Sequence, residues 1–281
     1  MQVQVMFKRD DGRTLVFDGT DWEILSMDGI ASPNYEVYTS KNGMSDGARV
    51  TGKYTGTRDI EIKAEVLNTL NNLQLRTQAL RFFTPKQAYQ IYITYGNTTL
   101  WIEGNLIALK APAEYEGTPQ VVDVYFICAE PYFNSIDNFG YDIAGEMGLS
   151  GFPFMESETI ETVVSAFAFS STVQIDYDGD ISAPIIATLT FDDEVANPEI
   201  LKDSYFLKLL GTYGSSDKIV IDFDRGTVRN NGINILNKVD RRSNLTQIKM
   251  DKGLNEISYT ADVGENSMHI ALSFYKKYLG V

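Results

Sequence analysis

Apolar and polar residues alternate with a period of two along almost the whole chain. Arg58–Ala64 places Ile60 and Ile62 on one face and charged residues on the other, which is the pattern of a half-buried strand. Turn signals such as Asp11-Gly12 and Gly96-Asn97 separate the alternating runs and predict hairpins. Val121–Cys128 is apolar on both faces, which is typical of a central strand. The sequence therefore predicts a mainly β protein.

One segment, within Glu65–Phe83, has the spacing of a helix. Asn68 or Thr69 is placed to cap it, and Pro85 ends it. Its predicted apolar stripe consists of Leu67, Leu70, Leu73, Leu80 and Phe83.

Two glycine-rich breaks interrupt the alternation. Ser26–Gly56 is either a mobile loop or an arm that packs on another subunit, and both readings stay open. The second break, over residues 134–158, suggests a boundary between a first domain, residues 1–140, and a second domain, residues 141–281. Many short strands in the second domain predict a β-sandwich; they are Thr162–Phe169, Val173–Tyr177, Ile185–Phe191, Tyr205–Leu209, Ile219–Phe223, Thr227–Arg229, Ile233–Ile235, Leu254–Tyr259 and Met268–Tyr275.

Charge and composition exclude several classes of protein. The 281 residues carry 24 Lys and Arg against 38 Asp and Glu, a net charge of −14, which argues against proteins that bind nucleic-acid phosphates or anionic lipid. We expect no membrane span, because no apolar run approaches about 20 residues. The N-terminus shows no secretion signal, so we expect folding in a reducing cytoplasm.

A search for catalytic or ligand-binding residues yields only weak candidates. The single histidine, His269, reads as a strand residue, and the single cysteine, Cys128, reads as a small buried apolar residue. Asp176, Asp178 and Asp180 depart from the calcium-loop pattern and read as a solvated strand end. Asp222 and Asp224 flank a turn, and Glu114 and Glu116 are an unspecific acidic pair. We predict no catalytic residue, no cofactor and no metal ion, and therefore a protein that is not an enzyme.

Several blocks, in order along nearly the whole chain, resemble the siphovirus tail component family, the distal tail proteins of long-tailed, non-contractile phages. Trp101–Gly104 resembles the family's strand followed by a glycine turn, and Phe126–Phe133 is the most characteristic block. The others are Gly52–Ile62, Leu80–Pro85, Tyr89–Ile93, Ala183-Pro184, Asn197–Ile200, Asp217–Asp222, Gly253–Ile257 and Tyr275–Val281.

The resemblance implies a structural virion protein of a phage or prophage. Its first domain, a β domain with one helix, would build a ring, usually a hexamer, around the tail channel. Its second domain would be a galectin-like or carbohydrate-module-like sandwich outside the ring. The implied partners are other copies of the chain, the tail tube protein, a tail-tip fibre or lysin protein and receptor-binding proteins, with DNA only as transiting cargo. The place of action would be the tail tip, after assembly in the bacterial cytoplasm.

A second function stays open, namely a carbohydrate-binding module or a glycan-acting protein that uses the second sandwich. For the ring, we expect the subunit interface to include Arg49, Lys53, Tyr54 and Arg58, since cationic and aromatic residues suit such contacts. The acidity of the chain would keep the ring lumen neutral or acidic towards DNA, or serves solubility alone.

Overall fold

The chain divides into two compact units, and along the sequence the second unit lies between two segments of the first. The computed structural model describes residues 3–41, 43, 46–113, 117–143 and 171–281. Unit 1 comprises Met1–Ile136 and Lys277–Val281, and unit 2 comprises Asp137–Lys276. The division falls close to the expected residue 140. It differs from the expectation at the C-terminus, where the last five residues belong to unit 1 and not to the second domain.

Unit 1 contains one α-helix, α1 (Asn72–Phe82), among its described residues, and a 3-10 turn over Thr69–Asn71 precedes it. Its strands, in chain order, are β1 (Val3–Arg9), β2 (Thr14–Phe17), β3 (Trp22–Asp28), β4 (Tyr35–Lys41), β5 (Ala48–Thr55), β6 (Arg58–Val66), β7 (Ala88–Tyr95), β8 (Thr98–Lys110), β9 (Val121–Cys128) and β10 (Phe133–Ile143), the last of which ends in unit 2.

The long strand β8 connects the two halves of the unit 1 sheet. All neighbours are antiparallel: β2, β1, β7 and β8 follow one another on one side, and β8, β9, β6 and β3 on the other. A bulge between Leu106 and Ala108 separates the part of β8 that faces β7 from most of the part that faces β9. The predicted hairpins at Asp11-Gly12 and Gly96-Asn97 and the central strand β9 are confirmed.

Buried side chains from both halves of this sheet form one core. The ring centroid of Phe7 lies 5.2 Å from that of Phe17, 5.0 Å from that of Phe83 and 5.7 Å from that of Phe126. Gly104 lies in the middle of β8 and not in the turn that the resemblance implied. A Cβ at this position would lie only 3.0 Å from Ile91 Cδ1 and 3.3 Å from Phe126 Cβ, so close packing requires the glycine.

The predicted leucine stripe of the helix is wrong. Leu70 and Leu73 are 91% and 77% exposed, whereas Leu75, Ala79 and Phe82 are buried. Leu67 and Leu70 precede the first α-helical residue, Asn72. Leu73 and Leu80 lie on the outer face of α1, because its buried face has the spacing i, i+4, i+7 from Leu75. Asn68 caps the 3-10 turn and not α1: its Oδ1 accepts a hydrogen bond from the backbone N–H of Leu70 at 3.1 Å, whereas Asn71, at the N-cap of α1, makes no side-chain capping hydrogen bond.

Unit 2 is built of short strands, as predicted. They are β11 (Thr172–Tyr177), β12 (Ala183–Pro184), β13 (Ile186–Phe191), β14 (Val195–Ala196), β15 (Glu199–Lys202), β16 (Tyr205–Lys208), β17 (Thr212–Tyr213), β18 (Lys218–Asp222), β19 (Thr227–Asn230), β20 (Ile233–Asn234), β21 (Lys249–Met250), β22 (Gly253–Thr260) and β23 (Met268–Tyr278), the last of which ends in unit 1. The predicted strand Thr162–Phe169 lies outside the described residues.

Two antiparallel sheets of unit 2 face a common core. One has the order β23-β13-β18-β19-β20, and the other has the order β11-β22-β15-β16. Alternate residues of both sheets, such as Leu189 and Ile270 on one and Ile175 and Ile257 on the other, belong to a single buried cluster. This is the arrangement of the predicted β-sandwich. No helix in the described part of the chain is long and apolar enough to span a bilayer.

Candidate subunit interface

β4 and β5 form a two-stranded antiparallel ribbon that pairs with no other described strand. Its base is closed by a hydrogen bond of 2.8 Å from Gly56 N–H to the carbonyl oxygen of Asn34. Almost every residue of both strands is exposed, including the large side chains of Tyr35, Val37 and Val50, at 59%, 53% and 48%. Much of this segment therefore forms regular strands, and an arm that packs on another subunit stays a prediction.

The register of the ribbon gives it two different faces, because paired residues lie on the same side and successive residues alternate. On one face, Val37 pairs with Lys53 and Lys41 pairs with Ala48. On the other face, Glu36 pairs with Tyr54 and Ser40 pairs with Arg49. We call the first the Lys53 face; its described strand residues are Tyr35, Val37, Thr39, Lys41, Ala48, Val50, Lys53 and Thr55.

On the opposite face, two tyrosines stack. The rings of Tyr38 and Tyr54 are 5.6 Å apart and inclined by 16°. Tyr38 Oη donates to Glu36 Oε2 at 3.2 Å or to Tyr54 Oη at 3.3 Å. Hydrogen bonding with Tyr38, followed by Glu36, raises the pKa of Tyr54 above its usual value. This stack stiffens the ribbon but leaves both of its faces open to water.

An isolated ribbon of this kind is marginally stable and presents free edges. Its open faces and edges are therefore the strongest sign in unit 1 of a surface that another protein covers.

Arg58, which follows the ribbon, lies inside the unit and not on its surface. It is 1% exposed. Its Nε donates to the carbonyl oxygen of Pro131 at 2.7 Å, Nη1 donates to that of Gly29 at 2.8 Å, and Nη2 donates to that of Leu279. The guanidinium carbon also lies 4.7 Å from the centre of the Phe133 ring. Burial lowers the pKa of Arg58 below its usual value.

These contacts overturn the prediction that Arg58 belongs to a subunit interface, because its side chain is enclosed within its own unit. Arg49, Lys53 and Tyr54 do lie on the exposed ribbon, and their place at an interface remains a prediction. The alternation in β6 was read correctly, and it puts Arg58 on the same face as Ile60 and Ile62; the prediction followed its charge instead and did not foresee its carbonyl partners.

The sequence analysis missed the large apolar residues of the ribbon. Tyr35, Val37 and Val50 are exposed side chains of types enriched in strands, and the run Tyr35–Thr39 carries that signal. The neighbouring glycines at positions 29, 43 and 47 obscured it.

The C-terminal residues of the chain pack against unit 1. The backbone N–H of Val281 donates to the carbonyl oxygen of Ile30 at 3.1 Å. Lys277 is buried and its ammonium contacts the carboxylate of Glu130. Burial lowers the pKa of Lys277 to about 8, and the adjoining carboxylate acts in the opposite direction by favouring the charged form.

The weak catalytic candidates have structural partners. His269 Nε2 lies 2.6 Å from Asp192 Oδ2 at the surface, and Asp178 Oδ1 lies 2.6 Å from Lys276 Nζ. Asp222 Oδ1 accepts hydrogen bonds from the backbone N–H groups of Asp224 and Arg225 at 3.0 and 2.9 Å, as expected for a turn.

The remaining candidates are Cys128 and the acidic pair Glu114 and Glu116. Cys128 is buried as predicted, and burial raises the pKa of its thiol to about 12. Glu114 and Glu116 lie outside the described residues. In the described ranges, no three His, Cys, Asp or Glu side chains are grouped to hold a metal ion.

Comparison with known proteins gives two independent matches. Residues 178–278 match the family model of the siphovirus-type tail component, C-terminal domain. The Dit protein of phage SPP1, described as a paradigm of the hub adsorption apparatus of phages that infect Gram-positive bacteria, has the same fold. That match has a TM-score of 0.70 and 14% sequence identity, and it covers 98% of this chain and 99% of the SPP1 chain.

Chains of the phage P2 baseplate in its activated conformation are also similar. The structure with calcium gives a TM-score of 0.52 at 10% identity, with 97% of both chains covered. The structure with strontium gives 0.54 at 10% identity, with 96% of this chain and 97% of that chain covered. No curated protein sequence matches significantly. Residues 178–278 therefore match the C-terminal domain of the siphovirus-type tail component family, and nearly the whole chain shares the fold of the SPP1 hub protein.

Proposed function

We propose that this chain is the repeating subunit of a ring-shaped hub at the distal end of a phage tail. The observation that carries the proposal is the match to SPP1 Dit, a hub protein, which covers 98% of this chain and 99% of the SPP1 chain. In the virion the ring would join the tail tube to the tail-tip fibre or lysin protein and would carry receptor-binding proteins. We propose that the ring assembles in the host cytoplasm and contains six copies of the chain.

The exposed ribbon supports this proposal. A cyclic ring needs two different patches on each subunit, because every copy contacts one neighbour with each. The ribbon is suited to be one of them: its large side chains are exposed in the single chain, and Arg49, Lys53 and Tyr54 add charge and aromatic area.

The role that we propose is structural and not catalytic. The hub and baseplate proteins that share the fold are structural parts of phage tails, and the titratable side chains that we considered as catalytic candidates are engaged in turns and ion pairs. The alternative is a carbohydrate-binding sandwich in unit 2, and the following experiment distinguishes it from the hub.

The first test is the mass and shape of the full chain in solution. Light scattering after size exclusion should give a closed oligomer of six copies, and negative-stain images should show rings. A chain that stays monomeric at high concentration and binds glycans on an array would contradict the hub and favour the carbohydrate-binding module.

A variant without the ribbon tests whether it is the arm. Residues 36–54 are replaced by two glycines, which the short distance between Asn34 and Gly56 at the ribbon base allows. We expect a folded species of lower order, because none of the removed residues that the structure describes is buried in the core. Circular dichroism checks the fold and light scattering the mass. Assembly equal to that of the parent would show that the ribbon is not the arm.

A further inference from the structure

An acidic cleft lies on unit 1, beside the bulge of β8. It has a volume of about 440 Å³ and is lined by Asp28, Asp59, Ile60, Glu61, Ile107, Ala108, Lys110, Tyr125 and Phe126. β3, β6, β9 and β8 supply these residues, and Asp28 pairs with Glu61 across the first two strands. Ile107, at the bulge, is 58% exposed and gives the cleft an apolar rim.

The charge of the cleft is negative. Asp28 and Asp59 are exposed, and Glu61 is half-buried. Among the described lining residues Lys110 is the only cation, and it is engaged: its Nζ donates to Tyr125 Oη at 3.0 Å and lies 4.4 Å from the centre of that ring. Glu61 Oε1 accepts a hydrogen bond of 2.9 Å from Tyr125 Oη, so Asp28 and Asp59 are the open carboxylates of the cleft. Three carboxylates against one ammonium make this cleft a site for a cationic partner with apolar side chains.

The Lys53 face of the ribbon has the matching chemistry. It combines Lys41 and Lys53 with the exposed side chains of Tyr35, Val37 and Val50, and its described strand residues include no acidic side chain. The opposite face carries Glu36 and the tyrosine stack. In the described part of the chain, neither lysine forms an ion pair.

We propose that the Lys53 face of one subunit docks into the acidic cleft of the next copy. The proposal rests on the ring proposed above and names the pair of surfaces that closes it. The two surfaces differ, and each copy carries both, so the contact is head-to-tail and propagates in one direction until the ring closes. The lysines meet Asp28, Asp59 and Glu61, while Tyr35, Val37 and Val50 meet Ile107 and the apolar floor of the cleft.

Charge reversal tests this contact in the full chain. One variant carries Lys41→Glu and Lys53→Glu, and a second carries Asp28→Lys and Asp59→Lys. Each should raise the protein concentration at the midpoint of assembly about tenfold or more, because attraction is replaced by repulsion. A variant with all four changes restores complementary charges and should assemble within about threefold of the parent. All four positions are exposed, and circular dichroism with a thermal scan verifies the fold of each variant.

Lys8→Glu in β1 is the matched control, since it reverses an exposed cation of unit 1 that belongs to neither the ribbon nor the cleft, and it should leave the midpoint unchanged. Normal assembly of both reversed variants, or failure of the four-change variant to recover, overturns this docking contact even if the parent forms rings. A parent chain that forms no ring overturns the proposed hub itself.

Discussion

Arg58 connects three segments of unit 1 that are far apart in the chain. Its hydrogen bond to the carbonyl oxygen of Leu279 spans 221 residues. No carboxylate contributes to these hydrogen bonds; three carbonyl oxygens and an aromatic ring solvate the guanidinium. The planar fork of Arg suits this task, whereas a lysine would offer one compact ammonium. The residue therefore fixes the C-terminal segment and the start of the ribbon at one point.

Arg58→Met should destabilise unit 1 strongly. The substitution removes the donor of three carbonyl oxygens, of which the hydrogen bond to Pro131 is buried and those to Gly29 and Leu279 are partly buried. Each such loss costs about 1–3 kcal/mol, so we expect a decrease of about 3 kcal/mol in the free energy of unfolding. Denaturant unfolding followed by tryptophan fluorescence measures it. The matched control is Arg49→Met, at an exposed position, where the change should stay within about 0.5 kcal/mol. Equal stability of the two variants would show that the hydrogen bonds of Arg58 contribute nothing to the stability of unit 1.

At the scale of elements, helix α1 has a buried face and an outer face that both contain leucine. Leu75→Ala should destabilise unit 1 by about 2–4 kcal/mol, because Leu75 is 5% exposed and its removal leaves a cavity. Leu73→Ala, two residues earlier and 77% exposed, should change stability by less than about 0.5 kcal/mol. Denaturant titration of both variants provides the comparison, and similar losses at the two positions would contradict the assigned helix face.

Elements that bury one face could be predicted from the sequence, and the ribbon could not. In β6 the alternation of Ile60 and Ile62 with charged residues records burial directly, so this strand was found with its orientation. The ribbon buries neither face, so burial leaves no period in its sequence. The helix lies between these cases: its existence was predicted, but Asn68 caps the 3-10 turn before it, and the predicted stripe joined leucines that precede Asn72 with leucines on the outer face of α1.

Three residues of the exposed ribbon were singled out from the sequence, and their place at an interface stays a prediction, whereas the cleft was not predicted. Arg49, Lys53 and Tyr54 were found because they interrupt a glycine-rich segment with interface-type side chains. The acidic cleft joins residues from four strands, of which Asp28 and Tyr125 are almost a hundred positions apart, and the bulge that exposes Ile107 depends on strand pairing. Contacts between residues so distant in the chain leave no local pattern in the sequence.

At the scale of the molecule, the chain passes from unit 1 into unit 2 within β10 and returns within β23. Unit 1 therefore includes residues 277–281, which follow unit 2 in the chain. A Cβ on Gly280 would overlap the carbonyl oxygen of Ala31, so the C-terminal segment packs closely beside the residues that lead into the ribbon. This arrangement links the integrity of the ribbon base to the C-terminus.

Deleting Leu279–Val281 should therefore weaken unit 1 and leave unit 2 unchanged. The deletion removes the Leu279 acceptor of Arg58 and the hydrogen bond from Val281 to Ile30, so the buried guanidinium loses one of its three partners. The two tryptophans, Trp22 and Trp101, both belong to unit 1, so their fluorescence reports the unfolding of this unit alone. We expect the fluorescence transition to move to lower denaturant, by about 1–3 kcal/mol in free energy. The fragment 137–276, followed by circular dichroism, gives the reference transition of unit 2, which the shortened chain should reproduce. If the tryptophan transition does not move, the C-terminal segment adds no stability to unit 1, and the ribbon base is held without it.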